Sequence, residues 1–147
     1  GERVKGLYIH GPFGTGKSFI LGAIANQLKS KHVPSTIVYL PEYIRILKGG
    51  FKDGSYNEKL ERIREANILM LDDIGAEDVT TWVRDEVIGP LLHYRMVHEL
   101  PTFFSSNLNL EELEHLIGSG ASQLWLLALV AQHSVFLISF PWEDSQN

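Results

Sequence analysis

With 147 residues, 44% of them hydrophobic and 21% charged, the chain is long enough for one domain with a real core and too apolar to be a disordered segment. The absence of cysteine excludes disulfide frameworks, thiolate metal sites and cysteine nucleophiles, and is compatible with a reducing cytosol. A net charge of -5 argues against a protein that coats nucleic acid through bulk charge and leaves only a local basic patch for that role. His10, His32, His93, His98, His115 and His133 have no metal-ligand spacing and read as surface or core histidines. Nothing at the N-terminus resembles a signal peptide, and a start so close to an apolar run suggests a piece of a longer protein.

Val4 to His10 is that apolar run and reads as a strand. A glycine-rich loop follows, then helix formers from Ser18 to Leu28 with a stripe at Phe19, Ile20, Ala23, Ile24, Gln27 and Leu28. Ser35 to Leu40 is β-branched and predicts a second strand. Pro41 opens a helical segment to Leu47, the pair Gly49-Gly50 is expected to break it, and Tyr56 to Glu65 resumes as a charged helix. Ile68 to Leu71 is apolar on both faces, as in a central parallel strand covered by helices on each side. Thr80 to Leu100 predicts a long helix that tolerates Gly89-Pro90 as a kink or break, Pro101 to Ser106 another strand, and Leu108 to Ile117 a short helix with Asn109 as N-cap. Strands alternating with helices predict an α/β fold, a doubly wound parallel sheet with helices on both faces and its ligand at the C-terminal strand ends.

The tail differs. The last Lys or Arg is Arg95, and from Gly118 onward only Glu143 and Asp144 carry charge. Residues 118–122 read as a linker before two apolar blocks, Leu124 to Ala131 and Val135 to Phe140, each too short to span a bilayer. The chain therefore divides into a core over residues 1–117 and an atypical apolar segment over 118–147. That segment reads as a buried helix and a last strand, or as a stretch foreign to the core's own family through frameshift, fusion or artificial alteration.

Chemistry concentrates in four places. Gly11, Pro12, Phe13, Gly14, Thr15, Gly16, Lys17 and Ser18 fit G-x-x-x-x-G-K-[ST] between a strand and a helix, which is the setting of a phosphate loop. Backbone N–H groups would converge on the phosphates of a nucleoside triphosphate, Lys17 would reach the β- and γ-phosphates, and the Ser18 hydroxyl would ligate Mg²⁺. Phe19, the next residue, belongs with this nucleotide-binding set. Asp72 and Asp73 end an apolar strand in the manner of a Walker B element, with Asp72 expected to hold Mg²⁺ through water and Asp73 to orient or deprotonate the attacking water. Asp is one methylene shorter than Glu, so slow intrinsic hydrolysis is expected. Asn107 closes the following strand, where a polar side chain would touch the γ-phosphate or the attacking water; a strand-end Asn is also a common turn residue, and its order after the two Walker elements favours the functional role.

Finally, Arg45, Lys48, Lys52, Lys59, Arg62 and Arg64 interleave with Tyr43, Phe51 and Tyr56, a mixture suited to single-stranded nucleic acid. Glu42, Asp53, Glu58, Glu61 and Glu65 dilute it, so a solvated helix face with i,i+4 pairs is the default reading and DNA contact the alternative.

Four ordered segments carry a family resemblance: Gly6 to Ser18, Leu69 to Glu77, Trp82 to Leu92 and Leu100 to Asn107. Over residues 1–117 the chain resembles the AAA+ ATPase domain of the bacterial primosomal DnaI family, the DnaC-type loaders of the replicative helicase. The resemblance implies an AAA+ fold, ATP and Mg²⁺ as ligands, a hexameric replicative DNA helicase as partner, ATP-dependent self-assembly, a cytoplasmic location and a role in replication initiation. It carries Gly11, Gly16, Lys17 and Ser18 over as phosphate and metal residues, Asp72 and Asp73 as Walker B, and Asn107 as sensor 1. Single-stranded DNA would be met through Arg45, Lys48 and Lys52.

Two departures from the family pattern stand out. Its N-terminal helicase-binding domain has no counterpart here. Its C-terminal arginine finger and sensor 2 arginine also have none, and a finger is worth on the order of a thousandfold or more in rate. Arg84 and Arg95 are candidate replacements, although helix-surface ion pairs are the simpler role for both. Two other functions share the motifs: a transposition-helper or initiator-type AAA+ ATPase, and a nucleotide-responsive binding module that has lost catalysis.

Overall fold

The computed structural model describes residues 6–76, 80–117 and 135–139. Five parallel strands form one sheet: β1 (Gly6–His10), β2 (Thr36–Tyr39), β3 (Leu69–Asp72), β4 (Thr102–Ser106) and β5 (Val135–Ser139), in the spatial order β2-β3-β4-β1-β5. Strand β4 thus lies between the strand that enters the glycine loop and the strand that ends in the two acids. The register pairs His10 with Ser106 across β1 and β4, and Leu71 with Phe104 across β3 and β4.

Alternation along the strands sorts their side chains into two cores. Tyr8, Leu69, Leu71 and Phe104 face one core, closed by Ile44, Leu47, Ile63, Val87, Leu91 and Leu92 from the helices between β2 and β4. Ile9, Met70 and Phe103 face the other, closed by Leu21 with Ile20, Ile24 and Leu28 of helix α1 (Lys17–Ser30). Helices on both faces of a parallel sheet are what the apolar runs required. The buried stripe of α1 is offset from the expected one: Phe19, Ala23 and Gln27 face solvent, and Leu21 is fully buried instead.

Gly49-Gly50 does not break the second helix. Helix α2 runs Leu40–Asp53, starts with Pro41 in its first turn, where the missing N–H costs nothing, and ends at Gly54. Gly50 is there for space: a Cβ on it would meet the Tyr56 backbone N at 3.0 Å, so the glycine lets helix α3 (Tyr56–Arg64) start against α2.

The long helix expected from Thr80 is helical from 81 to 97, with Thr80 Oγ1 accepting the Val83 N–H. It passes Gly89-Pro90 without a break. The turns Val83–Ile88 are π-helical and lead into α4 (Gly89–Val97), with Pro90 in its first turn. A proline has no N–H for the carbonyl four residues back and its ring crowds that carbonyl, so a locally wider helix accommodates it. Helix α5 (Leu110–Ile117) starts on a reciprocal cap: Asn109 Oδ1 accepts the Glu112 N–H at 2.8 Å, and Glu112 Oε1 accepts the Asn109 N–H at 3.1 Å.

Of the tail, the expected last strand is present as β5, parallel to β1 with Gly6 opposite Val135 and His10 opposite Ser139. The expected linker and the block Leu124 to Ala131 lie outside the described residues. Among the described residues no helix is long and apolar enough to cross a membrane.

Candidate functional site

The glycine loop turns between β1 and α1 because Gly14 and Gly16 adopt φ of 83° and 89°, which side chains with a Cβ rarely reach. Gly16 leads directly into α1, so the first N–H groups of that helix open toward the loop. Lys17 is buried at 8% exposure, and its ammonium donates to the Gly11 carbonyl at 2.9 Å, the Pro12 carbonyl at 2.7 Å and Thr15 Oγ1 at 3.3 Å. Burial pushes the Lys17 pKa down, and Asp73 and then Asp72 oppose that shift. Phe13 and Phe19 project outward, 90% and 80% exposed.

The two acids sit at the end of β3, one strand removed from the loop. Ser18 Oγ donates to both carboxylate oxygens of Asp72, at 2.9 Å each, which joins the start of α1 to the end of β3. A hydroxyl and a carboxylate in contact are a hard oxygen donor set. It suits Mg²⁺, which binds few protein ligands and takes the rest from phosphate and water. Among the described residues no group of three or more His, Cys, Asp or Glu could hold a metal.

Asp73 occupies the left-handed region at φ 64°, an unusual place for a residue with a Cβ. Its N–H is held by Ser105 Oγ at 2.8 Å. Burial and then the neighbouring Asp72 carboxylate raise its pKa, while a Tyr39 hydrogen bond and Lys17 pull it back. A carboxylate with a raised pKa and a partly open position is suited to accept a proton.

Asn107 is half-buried and directly follows the last residue of β4. Its neighbour Ser106 accepts the Gly11 N–H at 3.3 Å through its carbonyl, so Asn107 leaves the sheet beside the start of the glycine loop. The chain order of loop, acids and Asn107 is thus converted into adjacency by the position of β4.

No motif marks Ser105 as a site residue: it is one of two adjacent serines at the end of β4. Only the sheet order reveals that its hydroxyl meets both acids.

The two arginines considered as finger replacements have separate fates. Arg84 binds its neighbour Asp85 at 2.8 Å, the surface ion pair expected of it. Arg95 corrects that expectation, because it is fully buried. Its guanidinium donates to Thr102 Oγ1 (2.8 Å) and to the carbonyls of Ile63 (3.2 Å), Arg64 (3.0 Å), Ala66 (2.7 Å) and Pro101 (2.8 Å). A fully buried guanidinium held by five oxygens of the protein interior is in no position to reach a phosphate.

The basic segment also divides. On α3, Arg62 pairs with Glu58 at 3.6 Å and Arg64 with Glu61 at 3.5 Å, the solvated-face pattern. On α2, Arg45, Lys48 and Lys52 are exposed along one face. Phe51, 56% exposed, stacks on Tyr56 at 4.5 Å and meets Trp82 at 5.5 Å, with Lys48 over the Trp82 ring at 5.9 Å. A cleft of about 70 Å³ lined by Lys48, Asp73, Gly75 and Thr80, among others, places this surface beside the second acid.

Residues 1–113 match the family described as the bacterial DnaA ATPase domain. The chain is 56% identical over 111 residues to the replicative helicase loader DnaI of Bacillus subtilis strain 168, which covers 76% of this chain and 36% of that protein. It superposes on a crystal structure of DnaI with a TM-score of 0.81 and 43% identity, covering 95% of this chain and 75% of that one. The chain belongs to the DnaI family, with an AAA+ domain of the DnaA type. A structure of the replication initiator DnaA bound to AMPPCP and single-stranded DNA has a TM-score of 0.75 at 16% identity, covers 95% of this chain and 41% of that one, and shows the fold alone. The chain thus spans about a third of the length of the B. subtilis DnaI it matches.

Proposed function

We propose that this chain is the ATP-binding and ATP-hydrolysing domain of a bacterial helicase loader, which helps place the replicative DNA helicase on DNA during replication initiation. The observation that carries the reading is the contact of Ser18 with Asp72. It joins a phosphate loop to a strand-end carboxylate across the sheet, inside a chain 56% identical to a replicative helicase loader. The location that follows is the cytoplasm, where the replicative helicase works.

In this reading the backbone N–H groups from Gly14 to Ser18 and the Lys17 ammonium bind the triphosphate, and Lys17 exchanges the loop carbonyls for phosphate oxygens. Ser18 and Asp72 would hold Mg²⁺, which supplies charge neutralisation at the phosphates. Asp73 accepts the proton of the attacking water, and Asn107 orients that water or the γ-phosphate. Phe13 and Phe19 flank the loop as apolar surface for the nucleotide. Arg45, Lys48 and Lys52 line the face that would meet single-stranded DNA, with Phe51 available for stacking.

Two substitutions test this. Lys17→Ala and Asp72→Ala should each weaken Mg-ATP binding and abolish helicase loading by the full-length protein. Unchanged affinity and loading in both would sink the proposal.

A second reading, a nucleotide-responsive module without catalysis, is favoured by the fates of the two arginines considered as finger replacements: Arg84 is paired with Asp85 and Arg95 is buried. Single-turnover hydrolysis at saturating ATP separates the two, because a pure switch leaves bound ATP intact. Self-assembly on ATP addition, followed by sedimentation, would show whether a neighbouring copy completes the site.

A further inference from the structure

Ser105 lies two residues before Asn107 on β4 and is 1% exposed. Its hydroxyl stands between the two acids, donating to Asp72 Oδ1 and accepting the Asp73 N–H at 2.8 Å. A backbone N–H can only donate, so the Ser105 proton is committed to Asp72 and the direction of both bonds is set. The Ser105 carbonyl also accepts the Ile74 N–H at 2.9 Å. A single position on the central strand therefore grips Asp72, Asp73 and Ile74, the residues over which β3 turns away from the sheet.

The neighbouring Ser106 supplies a contrast within the same strand. It is equally buried, and its hydroxyl donates to the Ile74 carbonyl at 2.6 Å and accepts the Leu108 N–H at 3.0 Å. It touches neither acid. Both serines tie β4 to the turn after β3, but only Ser105 acts on the carboxylate that Ser18 also contacts.

We infer that Ser105 is a positioning residue of the nucleotide site, holding the Asp72 carboxylate toward Ser18 and the Asp73 backbone in its left-handed turn. Asp72 is clasped between two hydroxyls on different elements, Ser18 at the start of α1 and Ser105 on β4. Removing Ser105 leaves it held from the Ser18 side alone. The inference rests on the reading of Asp72 as the magnesium carboxylate. A group that orients a metal-holding carboxylate acts on metal affinity and has no reason to act on metal-free nucleotide binding.

The test uses Ser105→Ala, Ser106→Ala and Asp72→Asn in the 147-residue chain. Binding of a fluorescent ATP analogue is followed while MgCl₂ is titrated, and again in EDTA. Ser105→Ala should raise the Mg²⁺ midpoint by about ten- to a hundredfold, the range for partners of metal ligands, and leave affinity in EDTA unchanged. Ser106→Ala should keep the wild-type midpoint while losing comparable stability in urea. Ser105→Cys, of similar size and with a weak donor, provides the same comparison where the alanine variant does not fold.

If Asp72→Asn shifts the midpoint and Ser105→Ala does not, the inference is overturned while the site reading stands. An unshifted midpoint in Asp72→Asn overturns the site reading and the inference with it. Equal shifts in both serine variants, or an equal loss with and without magnesium, would mean general loosening of β4 and would also overturn it.

Discussion

Lys17 and Arg95 are both buried cations, and both are satisfied by oxygen atoms of the chain, with no direct carboxylate partner among the described residues. The difference lies in where those oxygens come from. Lys17 binds only its own loop, within six residues, so its bonds can be exchanged without moving any element. Arg95, on α4, binds the end of α3 and the residues leading into β3, about thirty positions earlier, as well as the start of β4. Burial pushes its pKa down to about 10, and carbonyl oxygens on several sides favour the charged form at neutral pH. A cation held by one loop can be released to a ligand; a cation that joins three elements is part of the frame.

The largest effect should come from breaking the frame. Arg95→Ala takes a buried donor from four carbonyls and the Thr102 hydroxyl, of which Pro101 keeps the Leu69 N–H and Thr102 its bond to the Leu100 carbonyl, and opens a cavity, so a loss of about 4 kcal/mol in urea unfolding is expected. Nucleotide binding should vanish only together with the fold. A stable Arg95→Ala variant with selectively lost ATP binding would reverse the roles assigned to the two cations.

Lys17→Ala should do the opposite. Its urea midpoint should stay within about 1 kcal/mol of wild type, since the freed carbonyls lie at a loop open to water. Affinity for Mg-ATP should drop by about a hundredfold, the factor that nearly 3 kcal/mol represents. Calorimetric titration reads the second effect and denaturant melts the first.

Asp73 sharpens the comparison because it faces Lys17 from the next strand but one. Asp73→Asn should lower single-turnover hydrolysis by about a hundredfold with ATP affinity preserved. In the wild type the active form is the carboxylate, so the rate should rise with pH along a limb displaced above the ordinary value of 3.8 and then level off. The stability sign is opposite. A raised folded-state pKa means the folded chain binds more protons than the unfolded one, so this group's contribution falls as pH rises from 3.8 through the raised value. Asp73→Asn should remove that dependence and be at least as stable at neutral pH in thermal melts.

The smallest effect belongs to a third cation, Lys48, exposed and resting over Trp82. Lys48→Ala should weaken binding to single-stranded oligonucleotides a few-fold and reduce the salt slope of log affinity by about 0.7, with folding and ATP binding unchanged. An unaltered slope would assign α2 to the solvated surface, as the ion pairs of Arg62 and Arg64 already assign α3.

Local chemistry was legible from residue order where one pattern required one geometry. The glycine loop, the apolar strand ending in Asp72-Asp73 and the Asn109 cap all involve neighbours within a few residues, and each formed as expected. Gly49-Gly50 misled because a glycine is read as a helix breaker, whereas Gly50 gives room to Tyr56, a contact between two helices. Arg95 misled for the same reason: an arginine near the end of a helix is ordinarily solvated, and its burial depends on carbonyls from Ile63 to Ala66 and at Pro101.

The sequence by itself determined that a phosphate loop, a pair of strand-end acids and a strand-end asparagine follow one another in an α/β chain of the DnaI family. Only the tertiary structure decided that β4 passes between the loop strand and the acid strand. That sheet order puts the Ser105 hydroxyl on both acids, where no spacing rule predicts it. The physical reason is range. Loop conformation, capping and strand patterning are settled by neighbours along the chain, whereas the parallel pairings, such as Leu69 with Thr102 or Leu7 with Phe103, join residues far apart in sequence and exist only once the sheet has chosen its order.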